Sequence, residues 1–283
     1  MKTLKVVFVG HTCIDRNDAE HVTYVSWGSG ALHMARYFQD HFGINPDVIT
    51  TYGPDLLEYT KGFRLHPLKP QAKVTMLNEN IMSGREKDRI RYSHHAEESI
   101  EPEITNDVID LVSKADILVL ATLLPNYSPA YVKKLLSHSK PGCLKVLIAQ
   151  GYLRHVNSDG LISARDFPEA KNIIPQFDLT VYSDDDHPDA LNLAKHWKSI
   201  APNTDIIVTQ GPQGASIFHG DHSAHNIPTR PMPIEEIVDS VGCGEIFTAA
   251  VTYHYYQSRD LVSAVQAAHR AARSKLVLSN AAV

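Results

Sequence analysis

The sequence predicts an α/β fold: three layers, with a mostly parallel central sheet between helices, and a small β lid. Three observations predict it. Short β-branched runs alternate with amphipathic segments of helix length. The runs are apolar throughout rather than at every second position, as in strands buried on both faces. Two further strand-like segments interrupt the alternation as insertions. With 283 residues, 43% hydrophobic and 21% charged, the chain can bury one large core. Its 15 glycines and 16 prolines exclude disordered and collagen-like classes.

The first run, over residues 5–9, passes Gly10 and leads to Asp15, which the sequence places at that strand's carboxyl end. Residues 21–27 are the first insertion. Gly28-Ser29-Gly30 opens a helix over 31–42, where apolar residues recur at three- and four-residue intervals. A strand over 47–51 follows. Residues 72–93 read as a hairpin, with Val74, Met76 and Leu77 before a Ser83-Gly84 turn and Ile90 and Tyr92 after it. We expect the inserted strands, about 20–27 and 72–93, to form a lid over an active site. Strands over 117–121, 145–149, 179–182 and 206–209 alternate with helices over 128–138 and 188–200. Helices over 245–257 and 261–278 close the pattern. No internal repeat or low-complexity linker divides the chain, so residues 1–283 read as one domain.

Charge and composition exclude several function classes. The formal charge is −5 and no Lys/Arg block reaches five residues, which speaks against a grip on polymeric nucleic acid. The longest apolar stretch, 117–124, is interrupted by Thr122 and falls far below the ~20 residues of a membrane span. The apolar run before Gly10 is too short for a secretory leader. Cys13, Cys143 and Cys243 are odd in number and show no C-x-x-C spacing, so neither a disulfide framework nor a zinc ribbon is expected. A reducing cytoplasm is the expected compartment.

Residues 239–250, DSVGCGEIFTAA, are the most informative stretch. Gly242 and Gly244 flank Cys243 directly before a helix-forming run, so N–H groups converge at a helix N-terminus, a place that binds an anion or developing negative charge. Glu245 stands where a carboxylate can take a proton from a hydroxyl beside that hole; the plainer reading is a turn whose acid favours the helix dipole. Residues 206–218, IIVTQGPQGASIF, put Thr209, Gly211 and Gly214 after a buried strand, at the edge where open α/β sheets bind ligands. Asp15, with the Trp27-Gly28-Ser29-Gly30-Ala31 turn, presents a carboxylate as sugar sites do, against the plainer reading of a surface turn. His219, Asp221, His222 and His225 have a ligand-like spacing but read as an exposed hairpin loop. Cys243 is a thiol activated by the helix N-terminus or simply a small residue. No G-x-x-x-x-G-K-[ST] loop is present, and GSGALH and GCGEIF match only half of a dinucleotide fingerprint.

In this order the stretches resemble the ribokinase-like (PfkB) family of carbohydrate and nucleoside kinases, over essentially the whole chain. DSVGCGE is similar to the family's D-T-x-G-A-G-D signature and VTQGPQGA to its nucleotide-binding V-T-x-G-x-x-G. GSGALHMARYFQDHFG followed by YGPD is similar to its N-terminal glycine signature. GREKDR lies in the lid position, and QGYLR at 150–154 is similar to a string in a subgroup of PfkB sugar kinases.

The resemblance implies a ribokinase-like fold and transfer of the γ-phosphoryl group of ATP to a hydroxyl of a small sugar, polyol or nucleoside, with Mg2+ and a monovalent cation such as K+. Glu245 would be the base in place of the family's aspartate, and Gly242, Cys243 and Gly244 the anion hole. Asp15, Gly28, Gly30 and His33, where many members carry Asn, would face the acceptor, with Arg85 or Arg89 reaching in from the lid. Thr209, Gly211, Gly214, Ser183 and Asn280 would lie along the nucleotide. Asp186, where the family has the Glu of N-x-x-E, would hold magnesium through water, and Asp239 would lie near the monovalent cation. The drifted positions leave a second reading, a degenerate member that binds a sugar or nucleotide as sensor or scaffold; the carboxylate kept at 245 favours the active kinase. A third is a vitamin-precursor kinase of the same superfamily, which usually lacks lid strands. An inserted sheet with an apolar outer face makes a homodimer through the lid an expectation.

Overall fold

The computed structural model describes residues 4–19, 22–81, 90–220 and 224–278. The expected Ser83-Gly84 turn, Arg85, Arg89, Asp221, His222 and Asn280 lie outside the described residues. The chain runs β1 (Val6–Gly10), β2 (Cys13–Ala19), β3 (Val22–Gly28), α1 (Gly30–Phe42), β4 (Asp47–Ile49), β5 (Arg64–His66), β6 (Met76–Ile81), β7 (Ile90–His94) and α2 (Asn106–Lys114). It continues through β8 (Ile117–Ala121), α3 (Pro129–Leu136), β9 (Leu144–Ile148), β10 (Arg154–Val156), β11 (Ile162–Ala164), α4 (Ala170–Ile173), β12 (Leu179–Ser183) and α5 (Ala190–Ile200). The last elements are β13 (Asp205–Thr209), β14 (Ala215–Phe218), β15 (Ala224–Ile227), α6 (Cys243–Ser258) and α7 (Leu261–Leu276).

Nine strands form the central sheet in the order β15-β14-β13-β12-β9-β8-β1-β4-β5. From β13 to β5 all neighbours are parallel; β14 and β15 add antiparallel strands at one edge. Burial on both faces explains the unbroken apolar runs. Val6 and Phe8 of β1 pack with Phe38 of α1, Phe247 and Val251 of α6 and Val265 of α7. Val7 and Val9 face the other layer, with Val112 of α2, Val132 of α3 and Trp197 of α5. Each such side chain contributes roughly 1.5–3 kcal/mol of burial energy. Among the described residues no helix is long and apolar enough to cross a membrane.

Ends of elements follow local chemistry. The Ser29 side chain accepts from Leu32 N–H to cap α1, and Gly43, at φ 64°, closes it in the left-handed conformation. The main departure from expectation is the lid. It is a four-stranded sheet in the order β3-β2-β6-β7, and Asp15 lies on its strand β2 rather than at the end of β1. The sequence CIDRNDA carries polar residues on its inward face, so neither apolar run nor apolar alternation marks it as a strand. The second pair also shifts: β6 starts at Met76, and Val74 precedes it. Helix α2 is a further element: Thr105 caps it, and Val108, Leu111 and Val112 recur at helical spacing in NDVIDLVSK and pack on the sheet.

Candidate active site

Strand pairing lays the lid's inner face out in rows. Gly28, Cys13 and Met76 form the row nearest the central sheet. Ser26, Asp15, Asn78 and Ser93 form the next, all of them buried. Tyr24, Asn17, Asn80 and Arg91 form the third. Such polar burial needs partners, and part of it is internal: the Cys13 thiol donates to Asp15 Oδ1 at 3.2 Å, Asn78 Nδ2 to Cys13 Sγ at 3.3 Å and Asn80 Nδ2 to Asn17 Oδ1 at 2.9 Å. Asn17 Nδ2 and Ser93 Oγ have no hydrogen-bond partner among the described residues. Burial pushes the Asp15 carboxyl above its ordinary range, while the nearby His33 and the Cys13 hydrogen bond pull it back. Burial likewise pushes the Cys13 thiol well up, which disfavours its thiolate.

The start of α1 and the start of α6 meet beneath this face. A Cβ on Gly28 would sit 2.2 Å from the Asp15 carboxyl carbon, so the carboxylate occupies the space that glycine leaves. A Cβ on Gly30 would lie 3.4 Å from Ala121 Cβ and Ile148 Cδ1 and 3.8 Å from Glu245 Cγ. Helix α1 thus presents its first turn to Glu245 at the carboxyl ends of β8 and β9. Gly242, at φ 85°, caps α6, and a Cβ there would lie 3.0 Å from His33 Nδ1. Gly244 and Glu245 lie in the first turn of α6, where N–H groups have no acceptor further back in the helix. The Cys243 N–H is already spent on Ser240 O at 3.2 Å, and its thiol lies 3.8 Å from Ala272 O on α7. Glu245 itself is half-buried and has no hydrogen bond or ion pair among the described residues.

On the other side of the site, β12 and β13 pair Ser183 with Thr209 at their carboxyl ends. Gly211, at φ 50°, opens a short turn whose Cβ direction meets open space. Gly214 serves the fold: a Cβ there would strike Ile227 O at 2.2 Å. Asp186 is buried, and its carboxylate accepts from Ser183 N–H at 2.9 Å and Gln150 Nε2 at 3.2 Å. Asp239 accepts from Val241 N–H at 2.8 Å and Tyr24 O–H at 3.0 Å, and Lys275 Nζ stands 3.4 Å from its Oδ2. His219 pairs with Asp205 at 2.7 Å, and among the described residues no group of three or more His, Cys, Asp or Glu gathers as a metal site.

The pattern of the pfkB family carbohydrate kinases matches residues 80–281, which contain the α6 turn, Asp186 and the Thr209 edge. The chain belongs to the pfkB family. The fold agrees. A pyrophosphate-dependent kinase of the ribokinase family superposes with a TM-score of 0.75 at 16% identity, covering 96% of this chain and 95% of that one. Anopheles gambiae adenosine kinase gives 0.74 at 12% identity, covering 100% and 98%. Arabidopsis thaliana ribokinase, complexed with ribose and ATP, gives 0.69 at 12% identity, covering 99% and 94%. No curated protein sequence matches this one significantly.

Within this pfkB frame the structure brings Asp15, Gly28, Gly30, His33, Gly242 and Glu245 together, and sets Ser183, Asp186 and Thr209 on the adjacent strand ends. It also reveals residues that sequence reasoning left without a role. Arg154, at the start of β10, is 8% exposed, and no described group hydrogen-bonds or ion-pairs with its guanidinium; its Nε is buried without a partner. Burial and the neighbouring Arg91 lower its pKa to about 10, while Asp186 and Glu245 raise it, so it lies within electrostatic reach of both sides of the site. The hairpin β10-β11 touches β7 through Ser93 N–H on Gly160 O at 2.8 Å, which brings Arg154 within electrostatic reach of Arg91 on β7. The QGYLR string was the available signal. Nothing in the sequence pointed to Lys275.

Proposed function

We propose that the protein transfers the γ-phosphoryl group of ATP to a hydroxyl of a small sugar, polyol or nucleoside. One observation carries this reading: a carboxylate without a partner among the described residues, Glu245, stands on the first turn of a helix beside the N–H groups of Gly244 and Glu245, beneath a lid face lined with buried polar groups. Phosphoryl transfer asks for positioning and charge stabilisation more than for covalent help. Asp15, Asn78 and Ser93 would bind the acceptor's hydroxyls. One of these hydroxyls gives its proton to Glu245 as its oxygen forms a bond to the γ-phosphorus. The bond from that phosphorus to the β–γ bridging oxygen breaks, and ADP leaves with the electron pair. The N–H groups of Gly244 and Glu245 would stabilise the charge on the moving group. Arg154, a cation without a partner among the described residues and within electrostatic reach of Glu245 and Asp186, would add to that stabilisation.

Magnesium keeps several waters and takes one or two carboxylates besides substrate phosphates. Asp186 fits that demand, since each of its oxygens accepts only one hydrogen bond; bound there, the ion would neutralise phosphate charge. Thr209 and Gly211 would flank the nucleotide.

Melting curves against a panel of sugars, inositols and nucleosides, with and without Mg-ATP or pyrophosphate, test the reading. A ligand at about 100 times its dissociation constant adds ~2.7 kcal/mol of stability. Absence of ATP and ADP binding by calorimetry removes ATP as donor, and absence of phosphorylated product with either donor removes the kinase.

A further inference from the structure

Lys275 lies on the last turn of α7 and is 6% exposed. Its Nζ donates to Leu278 O at 2.9 Å and to Asp239 O at 3.3 Å, and stands 3.4 Å from Asp239 Oδ2. An ammonium has three donors, and these three oxygens surround it. Around it the backbone is stitched as well: Val238 N–H donates to Leu276 O at 2.8 Å and Asp239 N–H to the same oxygen at 3.3 Å. The Asp239 carboxylate then accepts from Val241 N–H and, across the site, from Tyr24 O–H on lid strand β3. Residues 238–241 are thereby pinned immediately ahead of Gly242, the cap whose conformation aims the open N–H groups of α6.

The family resemblance implied a separate monovalent cation beside Asp239. The residues do not fit one. Such an ion takes carboxylate and carbonyl oxygens, and the oxygens available here already face an ammonium. A second cation on the same carboxylate would meet the first across a few ångströms of buried, weakly screened space.

We infer that Lys275 is a built-in monovalent cation and a positioning residue. Its charge draws the Asp239 carboxylate and two carbonyls into the arrangement that shapes the anion hole, so no potassium is required. Through Tyr24 the same charge cluster fixes the lid's β3 strand to the loop. The inference rests on the phosphoryl-transfer reading for its effect on rate, but its effect on stability stands alone.

The test uses the full chain with Mg-ATP and the acceptor identified by the panel, in chlorides of potassium, sodium and tetramethylammonium at equal ionic strength. Wild-type rates are expected to agree within about twofold, and a potassium stimulation of about tenfold or more overturns the inference. In Lys275→Ala, kcat is expected to fall about tenfold or more with KM for ATP little changed, and ~0.1 M potassium, ammonium or methylammonium to restore most of it. An unchanged kcat, or a loss in the folded variant that no cation relieves, overturns it. Should Lys275→Ala not fold, the wild-type salt profile still decides, and Lys275→Met with Asp239→Asn removes both charges together. Melting in the same salts needs no acceptor: Lys275→Ala should gain stability in potassium over tetramethylammonium and wild type should not. That melting pattern without ATP binding or turnover sinks the kinase reading and keeps the cation; turnover without the pattern sinks the cation alone.

Discussion

Asp15, proposed to bind the acceptor, shows how much a buried carboxylate can work against the stability of its own fold. Its carboxyl is pushed up chiefly by burial, so the folded protein binds that proton more readily than the unfolded chain. Stability from this group is present below the ordinary carboxylate pKa and is lost as pH rises through the folded value. Asp15→Asn should therefore melt no lower, and at pH 7 higher, than wild type, with the gap closing in acid. Acceptor binding should weaken by ~1.5–3 kcal/mol, the worth of charge-assisted hydrogen bonds, with ATP affinity unmoved. Lower melting together with equal loss of both ligands would mark Asp15 as structural only. Glu245 divides active from degenerate readings. Glu245→Gln should nearly abolish transfer with ATP binding intact; Glu245→Asp reports the fit, because a misplacement of ~1 Å can cost about a hundredfold. A wild-type rate in Glu245→Gln means another group is the base.

At the scale of elements, the four-stranded sheet β3-β2-β6-β7 is attached at both ends to residues proposed for the chemistry. Strands β2 and β3 meet the α1 turn at Gly28, where a methyl group would displace Asp15; Gly28→Ala should thus mimic the Asp15 variant in acceptor binding. The hairpin β10-β11 carries Arg154, which has no partner among the described residues. An unpaired buried guanidinium is a cost that only a bound anion relieves. Arg154→Met should fold and melt at or above wild type, yet lose at least about tenfold in kcat/KM, or ~1.4 kcal/mol. A strongly destabilised variant with an unaltered rate would show that its methylene packing matters and its charge does not.

For the whole molecule, acid stability should be governed by buried histidine. His11 joins β1 to the lid; its Nε2 bonds Asn126 Oδ1 at 2.7 Å and its Nδ1 accepts Leu123 N–H at 3.0 Å, a neutral ring used at both nitrogens. Burial lowers its pKa to about 4; His254 and His269 are also lowered by burial. A depressed folded value means stability is complete above pH ~6.5 and is lost as pH falls toward ~4, roughly 3 kcal/mol for His11 alone. Urea unfolding at pH 7 and pH 4.5 checks this. His11→Gln should be less stable at neutral pH with a flatter acid limb; an equally steep limb would assign the loss to carboxylates instead.

The sequence by itself determined the layered α/β fold, because strands covered on both faces must be apolar at every position and helices on one side only, and such patterns are local. It likewise determined the glycine turn ahead of α6, since left-handed backbone at Gly242 and an uncapped helix start are written in consecutive residues. Only the tertiary structure decided which polar groups meet. Strand β2 is hidden in CIDRNDA because its inward face is polar, so its pairing with β3 and β6 leaves no apolar period. Arg154 becomes unusual only once burial removes its water, and Lys275 only once α7 returns it to Asp239. Contacts between charges far apart along the chain are chosen by packing, and packing is a property of the assembled layers rather than of any segment within them.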